Sequence, residues 1–179
     1  MKPDDVANRK HTNGALAAEL ERLGVPFVAV AVDERHSLPL TPVELMEGLA
    51  ASDDPRLRLG LIPLFLARPD FSRWVDDAAC GLSGSAWATL ACYYTAAALL
   101  QRQHAARLAQ LGLNPSTLPD KFGRILGLSA TDDLETRLSQ LALKQAKLTN
   151  RDLNWRGTYD HAVKRLLRRV EWEAAWANS

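Results

Sequence analysis

The chain of 179 residues is long enough to bury a core of its own, and its 47% hydrophobic and 24% charged residues are those of a folded globular protein. That balance excludes a disordered chain, and two cysteines exclude a disulfide-built scaffold. The formal net charge is only +1, yet residues 137–170 hold nine Lys/Arg against two Asp/Glu while residues 1–80 hold nine against thirteen. A basic C-terminal third on an acidic chain points to an anionic partner or to a dock onto the acidic half.

Residues 1–11 read as a flexible, polar N-terminus, followed by a single mainly helical domain over 12–179. The acids of Met1-Lys2-Pro3-Asp4-Asp5 stand where a signal peptide needs basic and then apolar residues, so a cytoplasmic protein is expected. Thr12 or Asn13 caps a first helix with Leu16, Leu20 and Leu23 on its apolar stripe, and Gly24 ends it. From Pro26 the pattern changes to the β-branched run Val28-Ala29-Val30-Ala31-Val32. With the turn residues Asp33 to His36 and a return over Ser37 to Leu40, it predicts a short β-hairpin near residues 26–40.

Thr41-Pro42-Val43-Glu44 carries a capping box with proline in the first turn, so a helix runs to about Ala51. Asp54-Pro55 opens the next, which Pro63 is expected to kink, and Pro69 opens another over Phe71, Trp74, Val75 and Ala78. The segment Gly81 to Leu100 contains no charged side chain, and it predicts the organising element: a long central helix over about 85–111, covered on both faces. A membrane span is the rival reading, but Ser83, Ser85, Thr89, Thr95 and many alanines make the stretch too polar for one. The core is expected to centre on Trp87, Leu90, Tyr94 and Leu100.

Leu113 to Ser129 reads as a loop with at most a short helix over 120–126. A helix then starts at Thr131 or Asp132 and runs to about Lys147, with Leu134, Leu138, Leu141 and Leu148 inward and Arg137, Lys144 and Lys147 on its wet side. The last helix starts at about Thr158. On a wheel of about 100° per residue, Val163, Leu166, Leu167, Val170 and Ala174 form its core face, and His161, Arg165, Arg168, Trp172 and Trp176 lie opposite.

No recognised catalytic signature stands in the chain. Gly81-Leu82-Ser83-Gly84-Ser85 lacks both the final glycine and the preceding strand of a nucleophile elbow, and His11, His36, His104 and His161 are scattered without metal spacing. Neither a metal nor another cofactor is expected, and Cys80 and Cys92 are read as free thiols.

The one arrangement with chemistry is Arg156-Gly157-Thr158-Tyr159-Asp160-His161, which resembles the short Arg/His motif of HEPN ribonucleases, helical proteins of prokaryotic toxin and defence systems. The resemblance covers six residues, with Gly157 where that family usually has a polar residue. It implies that Arg156 would stabilise phosphate charge and His161 would activate or position a ribose hydroxyl.

The reading favoured by the residues themselves is a non-enzymatic binding protein, a regulatory or accessory subunit of a prokaryotic protein or nucleoprotein complex. Its binding face is the last helix, with Lys164, Arg165, Arg168, Arg169, Trp172 and Trp176, and its partner a protein or nucleic acid. A homo-oligomer is a further option, and no membrane association is expected.

Overall fold

The computed structural model describes residues 11–25, 38–113 and 116–177. Nine α-helices occupy them: α1 (Asn13–Arg22), α2 (Pro42–Ala51), α3 (Pro55–Leu59), α4 (Leu61–Ala67), α5 (Val75–Gly81), α6 (Gly84–Gln103), α7 (Ala105–Gln110), α8 (Leu134–Thr149) and α9 (Trp155–Ala177). A 3-10 helix, Pro69–Trp74, joins α4 to α5.

Local chemistry sets most of the helix starts. Thr12 Oγ1 accepts from Ala15 N–H to open α1, and Gly24, at φ 76°, turns the chain away after it. Thr41 and Glu44 form the reciprocal capping box of α2, with Glu44 N–H donating to Thr41 Oγ1 at 3.2 Å and Thr41 N–H to Glu44 Oε2 at 2.9 Å. Asp54 caps α3 through Arg56 N–H. That helix breaks at Gly60, three residues before Pro63. A proline at 63 clashes with the carbonyl four residues back, at Leu59, so the regular ladder stops there.

The hairpin expected over residues 26–40 falls mainly on 26–37, which lie outside the described residues, as does the N-terminus before His11. Among the described residues there is no strand. Residues 38–40 run without regular structure into the cap of α2, and Leu40 N–H finds its acceptor in Glu19 Oε2 (3.2 Å) instead of a neighbouring strand.

The uncharged stretch does form the centre. Every residue of α6 from Ala88 to Gln101 is buried, surrounded by α2, α4, α8 and α9. Thr89 and Thr95 are tolerated there because each hydroxyl donates to the carbonyl four residues earlier, at 2.8 and 2.7 Å. Burial pushes the Cys92 thiol up to about 12, so it stays protonated and packs as a small apolar group.

Two details correct the expected geometry. The central helix ends at Gln103 instead of continuing to residue 111: His104 takes φ −106° and ψ 18°, and α7 restarts in a new direction that buries Leu108. Trp87 lies at the edge of the core and is only half-buried, whereas Leu90, Tyr94 and Leu100 are fully buried. An edge-to-face aromatic series runs from Phe65 through Tyr94 and Phe122 to Trp87, with centroids 4.9, 5.7 and 6.2 Å apart.

The segment before α8 is irregular, without the short helix considered over 120–126, yet it is anchored firmly. Gln101 donates to Ser116 O and accepts from Leu118 N–H, at 2.9 and 2.8 Å, and the Tyr94 hydroxyl donates to Pro119 O at 2.9 Å. Asp120 accepts from Gly123 N–H at 2.8 Å and forms an ion pair with Arg137 at 2.6 Å. That pair reverses the expected placement of Arg137, which is only 4% exposed. Leu148 is reversed in the other direction, and at 40% exposure it does not line the core.

Candidate interaction site on the last helix

The last helix begins at Trp155, earlier than the sequence pattern suggests, because Asn154 caps it: its Oδ1 accepts from Gly157 N–H at 2.8 Å and its carbonyl from Thr158 N–H at 2.9 Å. The first half is anchored in the core through Trp155, Tyr159, Ala162, Val163 and Leu166, all buried. Tyr93 meets both Trp155 and Tyr159, with centroids 6.5 and 6.3 Å apart.

Arg156 and His161 do not share a face. Five residues of α-helix turn about 140° between them. The Arg156 guanidinium is half-buried and engaged by two carboxylates: Glu135 of α8 at 2.9 Å, and Asp160 one turn on. Burial works against its charge, but the bonds from Glu135 and Asp160 outweigh that and stabilise the cation, while the bond from Arg156 holds the Glu135 carboxyl below its usual range. His161 is exposed. The histidine within electrostatic reach of Arg156 is instead His104, at the break between α6 and α7. Burial lowers its pKa, with Asp160 and Glu135 pulling it up and Arg156 and Lys164 pushing it down.

The second half of α9 leaves the body of the protein. Leu167 and Val170 are half-buried and Ala174 is exposed, so the apolar stripe runs out of partners after Val170. The departure point is fixed by Arg107 of α7, which donates to Glu171 Oε1 through Nε and Nη2 at 3.0 and 2.5 Å. From Trp172 to Trp176 every side chain is exposed. The two indoles, 68% and 71% exposed, lie against each other with centroids 5.7 Å apart and planes at 46°.

The structure therefore brings Trp172 and Trp176 together on a projecting helical arm, with Arg165 and Arg168 exposed on the preceding turns of that side and Lys164 exposed about 40° from Arg168. Arg169 is differently occupied, forming an ion pair with Glu173 at 2.7 Å. The anchor Arg107–Glu171 is absent from the sequence reading because its members stand 64 positions apart. The Arg169–Glu173 and Arg156–Asp160 pairs could have been found, since both have the four-residue spacing of helical ion pairs.

Among the described residues, no group of His, Cys, Asp and Glu is placed to hold a metal ion, and no helix is long and apolar enough to cross a membrane. No known family model, curated protein or solved structure matches the chain.

Proposed function

We propose that the chain is a non-enzymatic binding protein, an accessory or regulatory subunit of a larger assembly, that engages a protein partner through the arm of α9 beyond Glu171. The observation that carries this reading is the exposed pair Trp172 and Trp176 on one projecting helix. Burying a tryptophan removes about 150–250 Å² from water, and tryptophan and arginine are the residues that dominate interface energetics. An amphipathic helical arm that carries aromatic anchors one turn apart fits a groove on a partner.

A protein partner is favoured over nucleic acid by the charge that remains available. The basic third of the chain loses Arg137 to Asp120, Arg156 to Glu135 and Asp160, and Arg169 to Glu173. The phosphate-neutralising surface is thus smaller than the sequence count implies.

The test is affinity isolation of the tagged full chain from native cells, with and without nuclease, beside the double variant Trp172→Ala, Trp176→Ala. A defined protein should co-isolate with the parent chain regardless of nuclease and be missing from the variant. Loss on nuclease treatment would assign the arm to nucleic acid, and identical capture by both chains would remove it from the interface.

A further inference from the structure

A cleft of about 300 Å³ lies between the end of α2, α3, the first half of α6, the end of α8 and the start of α9. It shares no residue with the α9 arm. Tyr93 and Gln145, both buried, lie along it, and the Tyr159 hydroxyl donates to Gln145 Oε1 at 2.5 Å. Elsewhere it is bounded by small side chains such as Ala50 and Ala86, and by Trp155, whose indole N–H donates to Arg151 O at 3.2 Å.

Arg58 and Arg151 also line this cleft. Arg22, Arg56, Arg68, Arg107, Arg137, Arg156 and Arg169 each form an ion pair with a carboxylate. Among the described residues neither Arg58 nor Arg151 does, and Asp53 on the exposed rim pairs with neither. Arg58 is not loose: its Nη1 donates to Ser52 O at 2.5 Å, which fixes one nitrogen of the fork and leaves the others free to donate. Burial pushes the Tyr93 hydroxyl up to about 12, against the opposing pull of both guanidinium groups.

We propose that this cleft binds a small phosphate-bearing metabolite, with the phosphate held between Arg58 and Arg151. Two guanidinium groups match the charge of a phosphate monoester, about −1.5 to −2 at neutral pH, and their planar forks suit its oxygens. The volume stands at the lower end of the range for ligand pockets, about 300–1,000 Å³, so the remainder of the molecule is small.

The experiment titrates the full-length protein with inorganic phosphate, and separately with succinate as a carboxylate, at constant ionic strength. The readout is the indole N–H resonances of the tryptophans. Phosphate should shift the Trp155 signal saturably and leave those of Trp172 and Trp176 in place. Arg151→Glu should weaken binding at least tenfold, and it should fold normally because Arg151 is exposed and its bonds to Ala146 and Trp155 are made by the backbone. Arg58→Lys, which keeps charge but loses the fork, should weaken it several-fold. No saturable shift with phosphate, or equal affinity in Arg151→Glu, would overturn the site. Tighter binding of succinate than of phosphate would overturn the assignment of the ligand.

Discussion

The Tyr159 hydroxyl donates to Gln145 Oε1 at 2.5 Å, joining α9 to α8 between two side chains that are 0% and 1% exposed. Burial raises the Tyr159 pKa well above its ordinary value, so the hydroxyl keeps the proton it donates. Replacement by phenylalanine preserves the ring contact with Tyr93 but leaves a buried acceptor short of its partner. Tyr159→Phe is expected to cost about 1–3 kcal/mol in urea unfolding, with an unchanged m-value. A loss below a few tenths of a kcal/mol would mean that this bond does not hold the two helices together.

The ion pair of Arg137 and Asp120 is asymmetric, with the arginine side chain 5% and the aspartate 34% exposed. Removing the aspartate strands a charge inside the protein and also releases Gly123 N–H. Asp120→Ala is expected to destabilise by about 3 kcal/mol. Adding Arg137→Met should recover part of that loss, because the double variant buries no unpaired charge. Simple additivity of the two substitutions in chemical denaturation would disprove the coupling.

His104 gives the fold a pH dependence of determinate sign. Its pKa is lowered by burial, with Asp160 and Glu135 acting against that and Arg156 and Lys164 with it. The unfolded chain therefore takes up the proton first as pH falls below the ordinary value of 6.5. Stability is fully present above that value and declines as pH falls towards the folded pKa. The depressed Asp70, held down chiefly by its bond to Arg68, loses its contribution only in the carboxylate range. Melting temperature should hence decline between about pH 6.5 and 5 in the parent chain, and His104→Gln should flatten that decline. An identical slope in the variant would locate the proton uptake elsewhere.

What the sequence made legible was local. Thr12, Thr41 with Glu44, and Asp54 with Pro55 announce helix starts because a cap needs only a side chain within three positions of its donor. The uncharged run before Leu100 announces a covered helix, because no charge has to reach water. Arg137 was misplaced on the wet face because its partner stands 17 positions away in an irregular segment, which no periodicity reveals. The end of the central helix was misjudged for a similar reason: the bend at His104 serves Leu108 and the distant Glu171, neither of which leaves a mark at residue 104. In the candidate site, the wheel placed both tryptophans opposite the core stripe, and they are exposed. It could not show that the stripe itself runs out of protein after Val170.

That loss of partners beyond Val170 leads to the sharpest contrast in stability. Tyr94 is fully buried, packs edge-to-face on Phe65 and Phe122, and donates to Pro119 O. Removing its ring should open a cavity and cost about 3–5 kcal/mol. At about 2–4 °C per kcal/mol for a domain of this size, Tyr94→Ala should melt roughly 10 °C or more below the parent chain. Trp172 and Trp176 have comparable or greater bulk, but they touch chiefly each other and solvent, so their joint removal forfeits one exposed ring contact worth about 1 kcal/mol or less. Part of that is returned by the higher helix propensity of alanine. Trp172→Ala with Trp176→Ala should therefore melt within about 3 °C of the parent, while the fluorescence loses its solvent-exposed component. The two sets of variants can be compared by calorimetry at equal concentration. A melting point for the tryptophan double variant as low as that of Tyr94→Ala would show that the indoles stabilise the body of the protein, and the arm would then no longer be a surface held ready for a partner.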